Sequence, residues 1–100
     1  MMDVKLYMLL LGCKPRGRHT EQHDVFFGIG SSLKSLVPDI LDFWPEAEGR
    51  VHIDAWREVT AVNGYSIGVR SRLERPEGDP SLRLFFINLG GYKANDFEEY

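Results

Sequence analysis

Glu21-Gln22-His23-Asp24-Val25-Phe26-Phe27-Gly28-Ile29-Gly30-Ser31-Ser32-Leu33, continued to Trp44, is the stretch whose reading decides the fold. Val25, Phe27 and Ile29 alternate with Phe26 and Gly28, the pattern of a short strand that ends at Gly30. Ser31 or Ser32 then offers a hydroxyl to cap a helix. Leu33, Leu36, Val37, Ile40, Leu41 and Trp44 follow at spacings of three and four, which lays one apolar stripe along that helix. Pro38 interrupts the stripe by removing a backbone donor and turning Val37 away from helical angles. The expected form is a kink, or one turn followed by a helix starting at Pro38 and ended by Pro45.

Outward from this stretch the strands are legible. Val4 to Leu11 reads as a strand, and Met8-Leu9-Leu10-Leu11 is apolar without alternation, as in a strand covered on both faces. Gly12 is expected to open a loop that runs through Cys13 to Thr20 and contains Pro15 and Gly17. On the other side, Asn63-Gly64 lies between Val51–Val62 and Tyr65–Arg72, a strong hairpin signal. A two-residue turn there pairs Thr60 with Ile67, Glu58 with Val69 and Trp56 with Ser71. In that register His52, Asp54 and Trp56 share a face, although Val51, Ile53 and Ala55 carry the apolar pattern on the other. A bulge near Trp56 to Glu58 would resolve the conflict, or else His52 and Asp54 point into partly apolar surroundings. Glu74 to Pro80 is a loop, and Leu82 to Leu89, apolar on both faces, reads as a last, central strand. Lys93 to Tyr100 is a polar tail.

The element order is β-β-α-β-β-β, an α+β domain with one helix packed on a mixed or antiparallel sheet. A ubiquitin-like roll is one specific form of that order. One hundred residues make a single domain, 1–100, able to bury about two-thirds of the surface its unfolded chain exposes. A shift of 78 positions places Leu6 on Leu84, Leu11 on Leu89, Gly12 on Gly90 and Glu21 on Glu99. Tyr7, Met8 and Leu9 fall on Phe85, Phe86 and Ile87. Residues 82–100 are therefore either a chance likeness or the start of a second, related repeat.

Composition narrows the function. A hydrophobic content of 43% fits a folded domain, and a net charge of −3 weighs against nucleic-acid binding, which needs a dense positive surface. The apolar run Leu6–Leu11 is too short to span a bilayer, so no membrane is expected. Cys13 is the sole cysteine, which forbids an internal disulfide and suits a reducing, cytoplasmic setting.

Three groups of residues could carry chemistry. Glu21, His23, Asp24, His52 and Asp54 could hold a divalent metal or form an acid–base pair, or be a hydrogen-bonded structural cluster or solvated sheet face. Their spacing matches no metal motif, so neither a metal nor a cofactor is assigned. Lys14, Arg16 and Arg18, with Ser31 and Ser32 beside Gly28 and Gly30, could bind an anion. Gly12 and Gly17 have the spacing of a nucleotide-binding loop, but Arg18-His19 stands where Lys-Ser/Thr is required. Cys13 reads as an inert thiol, since no triad accompanies it. Trp44 belongs to the helix stripe, whereas Trp56 and Phe43 could form an exposed aromatic surface.

The blocks Glu21-Gln22-His23-Asp24-Val25-Phe26-Phe27, His52-Ile53-Asp54-Ala55-Trp56-Arg57-Glu58-Val59, Asn63-Gly64-Tyr65 and Asn88-Leu89-Gly90-Gly91-Tyr92 resemble a bacterial family of small conserved hypothetical proteins of unknown function. The resemblance covers nearly the whole chain. It implies a small α+β unit whose longer relatives carry a second related half, and it brings no activity and no catalytic residue with it. The expected role is a non-catalytic interaction or structural module that self-associates as a homodimer or pairs with a second related domain. The alternative is a small-molecule- or metal-binding enzyme built on His23, Asp24, His52 and Asp54.

Overall fold

The computed structural model describes residues 3–71 and 81–90. Its elements are β1 (Lys5–Cys13), β2 (Gln22–Gly30), α1 (Val37–Phe43), β3 (His52–Glu58), β4 (Ala61–Val62) and β5 (Tyr65–Ser66). Short 3-10 turns, Lys34–Leu36 and Pro45–Ala47, flank the helix. The expected order β-β-α-β-β-β holds, with one helix packed against a mostly antiparallel sheet.

β1 is the centre of a three-stranded sheet ordered β2-β1-β3, antiparallel on both sides. Its unbroken apolar run is not covered equally on both faces: Tyr7, Leu9 and Leu11 are buried, whereas Leu6 and Met8 are half-buried and Leu10 is exposed. Its odd-numbered residues Tyr7, Leu9 and Leu11 face the helix and form the core with Phe26, Leu36 and Ile40. Leu33, Trp44 and Val51 pack against this cluster from its rim. Complete burial of Leu9, Leu11 and Leu36 stabilises the fold by about 1.5–3 kcal/mol each.

The helical segment divides at Pro38. A 3-10 turn ends at Leu36, and α1 then starts at Val37 with Pro38 in its first turn, where a missing N–H costs nothing. Ser32 and Ser35 staple the entry. The Ser35 N–H donates to Ser32 Oγ at 3.3 Å, and the Ser35 hydroxyl donates to the Ser32 carbonyl at 2.6 Å. Only part of the expected stripe is buried: Leu36 and Ile40 point inward, whereas Val37 and Leu41 stay exposed. Seven residues make two turns, too few to wrap a wider stripe against a three-stranded sheet. Gly28 allows the helix its close approach, since a Cβ there would lie 3.0 Å from Leu36 Cδ2.

The strand parity conflict is resolved by a register shift. Leu10 pairs with Ala55 but Leu11 pairs with Ile53, which leaves Asp54 as an extra residue on β3. The irregularity sits at Asp54, two residues before the expected position. It turns Ile53 and Trp56 to the helix-side face together, and the Trp56 ring meets Tyr7 edge-on with centroids 6.0 Å apart.

Two expectations are corrected. The hairpin has the expected register, with Val62 opposite Tyr65 and Ala61 opposite Ser66, and Asn63 and Gly64 both adopt positive φ. Its arms, however, are two residues long. Val59 and Thr60 leave the strand conformation, so Trp56 and Glu58 pair with β1 and not with Ser71 and Val69. Leu82–Leu89 is not a central strand either. Within residues 81–90 no strand forms and every residue is exposed, and the central place belongs to β1, which has both edges paired. The loop Glu74–Pro80, the tail Lys93–Tyr100 and the match of Glu21 with Glu99 lie outside the described residues.

Candidate functional site

Gly12 belongs to β1, not to a loop. It pairs with His23 of β2 on one side and His52 of β3 on the other. Cross-strand partners project from the same sheet face, so both imidazoles rise beside a residue that has no side chain of its own. Glu21, two residues before His23, follows the same alternation. Asp54 joins them through the register shift, a device that re-aims side chains beside sites.

The four side chains close into a ring of alternating nitrogen and oxygen. His23 Nε2 lies 3.0 Å from Asp54 Oδ2, and His52 Nε2 lies 3.0 Å from Asp54 Oδ1. Glu21 completes it, with Oε1 at 2.7 Å from His52 Nε2 and Oε2 at 3.8 Å from His23 Nε2. Ligand-type atoms of Glu21, His52 and Asp54 all lie within 4.8 Å of one another. The side chains are between a third and a half exposed, so water and small ions reach the ring. Two carboxylates beside two imidazoles can hold a cation or pass a proton.

The floor is Gly12. A Cβ built there would stand 2.6 Å from Asp54 Oδ2, 2.7 Å from His52 Nε2 and 3.0 Å from Glu21 Oε1. Any larger residue would occupy the point on which the ring converges. Sequence reasoning missed this role by treating Gly12 as the end of a strand. The available signal was a glycine directly after four apolar strand residues, which marks a close approach.

The fifth expected member is elsewhere. Asp24 pairs with Leu11 and therefore projects from the opposite face. There its Oδ1 accepts the Val25 N–H at 2.8 Å.

The expected anion pocket does not assemble as one site. Lys14, Arg16 and Arg18 surround an open cavity of about 390 Å³ completed by Pro15, Gly17, Glu48 and Arg50. The Arg16 guanidinium is partly answered by Glu48 Oε1, 3.6 Å from its Nε. Ser31 and Ser32 follow the far end of β2, a nine-residue strand about 30 Å long. The 3-10 entry also leaves Ser32 bonded to Ser35, and Gly28 and Gly30 are filled over by Leu36 and Ser35.

Cys13 is buried at the end of β1, and desolvation pushes its thiol pKa above the ordinary value, against a smaller lowering by Arg50. A thiol held neutral is a poor nucleophile. Phe43 packs edge-on against Phe26 with centroids 5.1 Å apart, while Trp56 is more than half exposed.

The family model described as a Domain of Unknown Function, DUF1543, matches residues 18–69, a span that contains Glu21, His23, His52 and Asp54. The chain belongs to this family. It also resembles the crystal structure of protein Il1583 from Idiomarina loihiensis, at 32% identity and a TM-score of 0.66. The likeness covers 75% of this chain and 50% of that one, so the chain spans about half the length of that relative. No curated protein matches. Among the described residues no helix is long and apolar enough to cross a membrane.

Proposed function

We propose that the chain is a non-catalytic interaction module that pairs with another unit of its own fold, as a homodimer or beside a second related domain. The observation that carries this reading is the exposure of Leu82–Leu89. In β1 the positions of Tyr7, Leu9 and Leu11 are 5%, 0% and 0% exposed, while their counterparts Phe85, Ile87 and Leu89 are 76%, 70% and 81% exposed. A contiguous apolar stretch this open is an interaction surface in a folded protein.

The sheet supports the same reading. Its face away from the helix carries Leu6, Met8, Leu10, Phe27 and Ile29, with Leu10, Phe27 and Ile29 exposed. Leu84, Phe85 and Phe86 already lean over part of it, and the Phe86 ring meets Phe27 edge-on at 5.1 Å. The longer relative, of which this chain matches half, is consistent with two such units side by side. Pairing would cover Phe85, Ile87 and Leu89 as Tyr7, Leu9 and Leu11 are covered.

Native mass spectrometry and light scattering test the proposal. Two copies of the 11.5 kDa chain are expected, and a Phe85→Asp/Ile87→Asp double variant should return to one. A wild-type chain that stays monomeric to several hundred micromolar sinks it.

A further inference from the structure

We infer that Glu21, His52 and Asp54, with His23 as a fourth ligand, form a binding site for one divalent transition-metal ion of the zinc class. The inference is independent of self-association.

The ring itself has a deficit that a cation removes. Each Nε2 faces oxygens of two different carboxylates, yet a neutral imidazole carries at most one hydrogen there. The single N–H of each histidine therefore has to serve two carboxylate oxygens, and one oxygen at each is left without a hydrogen of its own. A metal held by Glu21, His52 and Asp54 accepts from nitrogen and oxygen alike, and His23 joins it by a movement of its side chain. The double positive charge of the metal also balances Glu21 and Asp54.

Dimensions agree with a small ion. Metal–nitrogen and metal–oxygen bonds of about 2.0–2.1 Å in a tetrahedron give ligand–ligand edges of about 3.3 Å. The nitrogen–oxygen separations of the ring, from 2.7 to 3.8 Å, bracket that edge, and the ligand atoms of Glu21, His52 and Asp54 all lie within 4.8 Å of one another, so small side-chain rotations close the shell. Two imidazoles select zinc, cobalt or nickel over magnesium and calcium, which prefer all-oxygen shells. The alternation matters too, since each carboxylate faces both histidines and needs no large rotation to offer one oxygen.

Gly12 is the second, independent observation. The strand that carries it has Leu10 and Met8 at the neighbouring same-face positions, so a side chain there would be ordinary on sheet grounds. Its absence leaves room for Asp54 Oδ2, His52 Nε2 and Glu21 Oε1 to come within 2.6–3.0 Å of the point a Cβ would occupy. These are ends of flexible side chains, so an added methyl group displaces them without forcing the backbone. Gly12→Ala should thus leave the fold intact and spoil the ligand set.

The test uses the full chain with any purification tag removed, titrated with Zn2+ by calorimetry and with Co2+ by visible absorption. One equivalent per chain and an intense tetrahedral cobalt spectrum are expected. His52→Ala and Gly12→Ala should weaken binding by about 100-fold or more, and His23→Ala by at least about tenfold. His19→Ala removes the remaining histidine, on an exposed loop outside the ring, and should bind as wild type does. Circular dichroism of each variant reports the fold separately. The assignment is overturned if the wild type takes up no stoichiometric metal. It is equally overturned if His52→Ala and Gly12→Ala bind as well as wild type, if His19→Ala loses binding, or if Mg2+ or Ca2+ competes at equal concentration.

Discussion

β1 and the segment Leu84–Leu89 carry nearly the same apolar pattern, and the fold treats them in opposite ways. Leu9 and Leu11 of β1 are sealed between two neighbouring strands and a helix, while Ile87 and Leu89 stand in water. Pattern alone therefore does not bury a strand. What β1 has is β2, β3 and α1 around it, and each supplies contact area that the later segment lacks. The same pattern without strands on both edges stays exposed, and the proposed association rests on that exposure.

The largest effect expected from this contrast comes from truncating the matched pair Leu9 and Ile87. Leu9→Ala should cost about 2–5 kcal/mol, through lost burial and the cavity left behind. Ile87→Ala, measured at dilutions where the chain is monomeric, should stay within about 0.5 kcal/mol. Urea unfolding of both variants decides it, and equal costs would break the comparison.

The ring contact between Phe86 and Phe27 of β2, the strand beside β1, sharpens it. A double-mutant cycle on Phe27 and Phe86 should return about 0.5–1.5 kcal/mol, near the lower end because both rings are partly exposed. Zero coupling in the same denaturation assay would mean that Leu84–Phe86 does not rest on the sheet.

Gly12 and Gly90 are also matched, and Gly12 lies beneath converging side chains. Gly12→Ala should change stability by less than about 1 kcal/mol while shifting the imidazole proton resonances of His23 and His52. Gly90→Ala should leave those resonances in place. Identical spectra for the two variants would remove Gly12 from the ring.

The smallest effect concerns the end of β1. Burial keeps the Cys13 thiol neutral to higher pH in the folded chain than in the unfolded one. The unfolded chain releases that proton first, so the contribution is intact below the ordinary thiol range and is lost as pH rises through it. Thermal unfolding from pH 7 to 10 should fall more steeply for wild type than for Cys13→Ala. Parallel curves would mean that the thiol is not desolvated.

Much of this was legible in particular residues. Asn63-Gly64 specifies a turn because asparagine and glycine tolerate positive φ, and it set the register correctly. Pro38 located the start of the helix because proline has no N–H to donate. The parity conflict between Ile53 and Trp56 pointed to an irregularity in β3 as one of two ways out, since side chains on a regular strand alternate. Pairing Glu21, His23, His52 and Asp54 was readable as a possibility from their chemistry. Excluding Asp24 was not, because strand parity assigns a face only once its partner strand is known.

The amino-acid sequence by itself determined the element types, the turn and the apolar faces, all of which depend on residues close along the chain. Tertiary structure alone decided which strand is central, where the extra residue of β3 falls and what Gly12 is for. Those depend on non-local pairing, in which strands about 5 Å apart in space come from residues forty positions apart in sequence. His23 and His52 meet across Gly12 only because β1 lies between the strands that carry them.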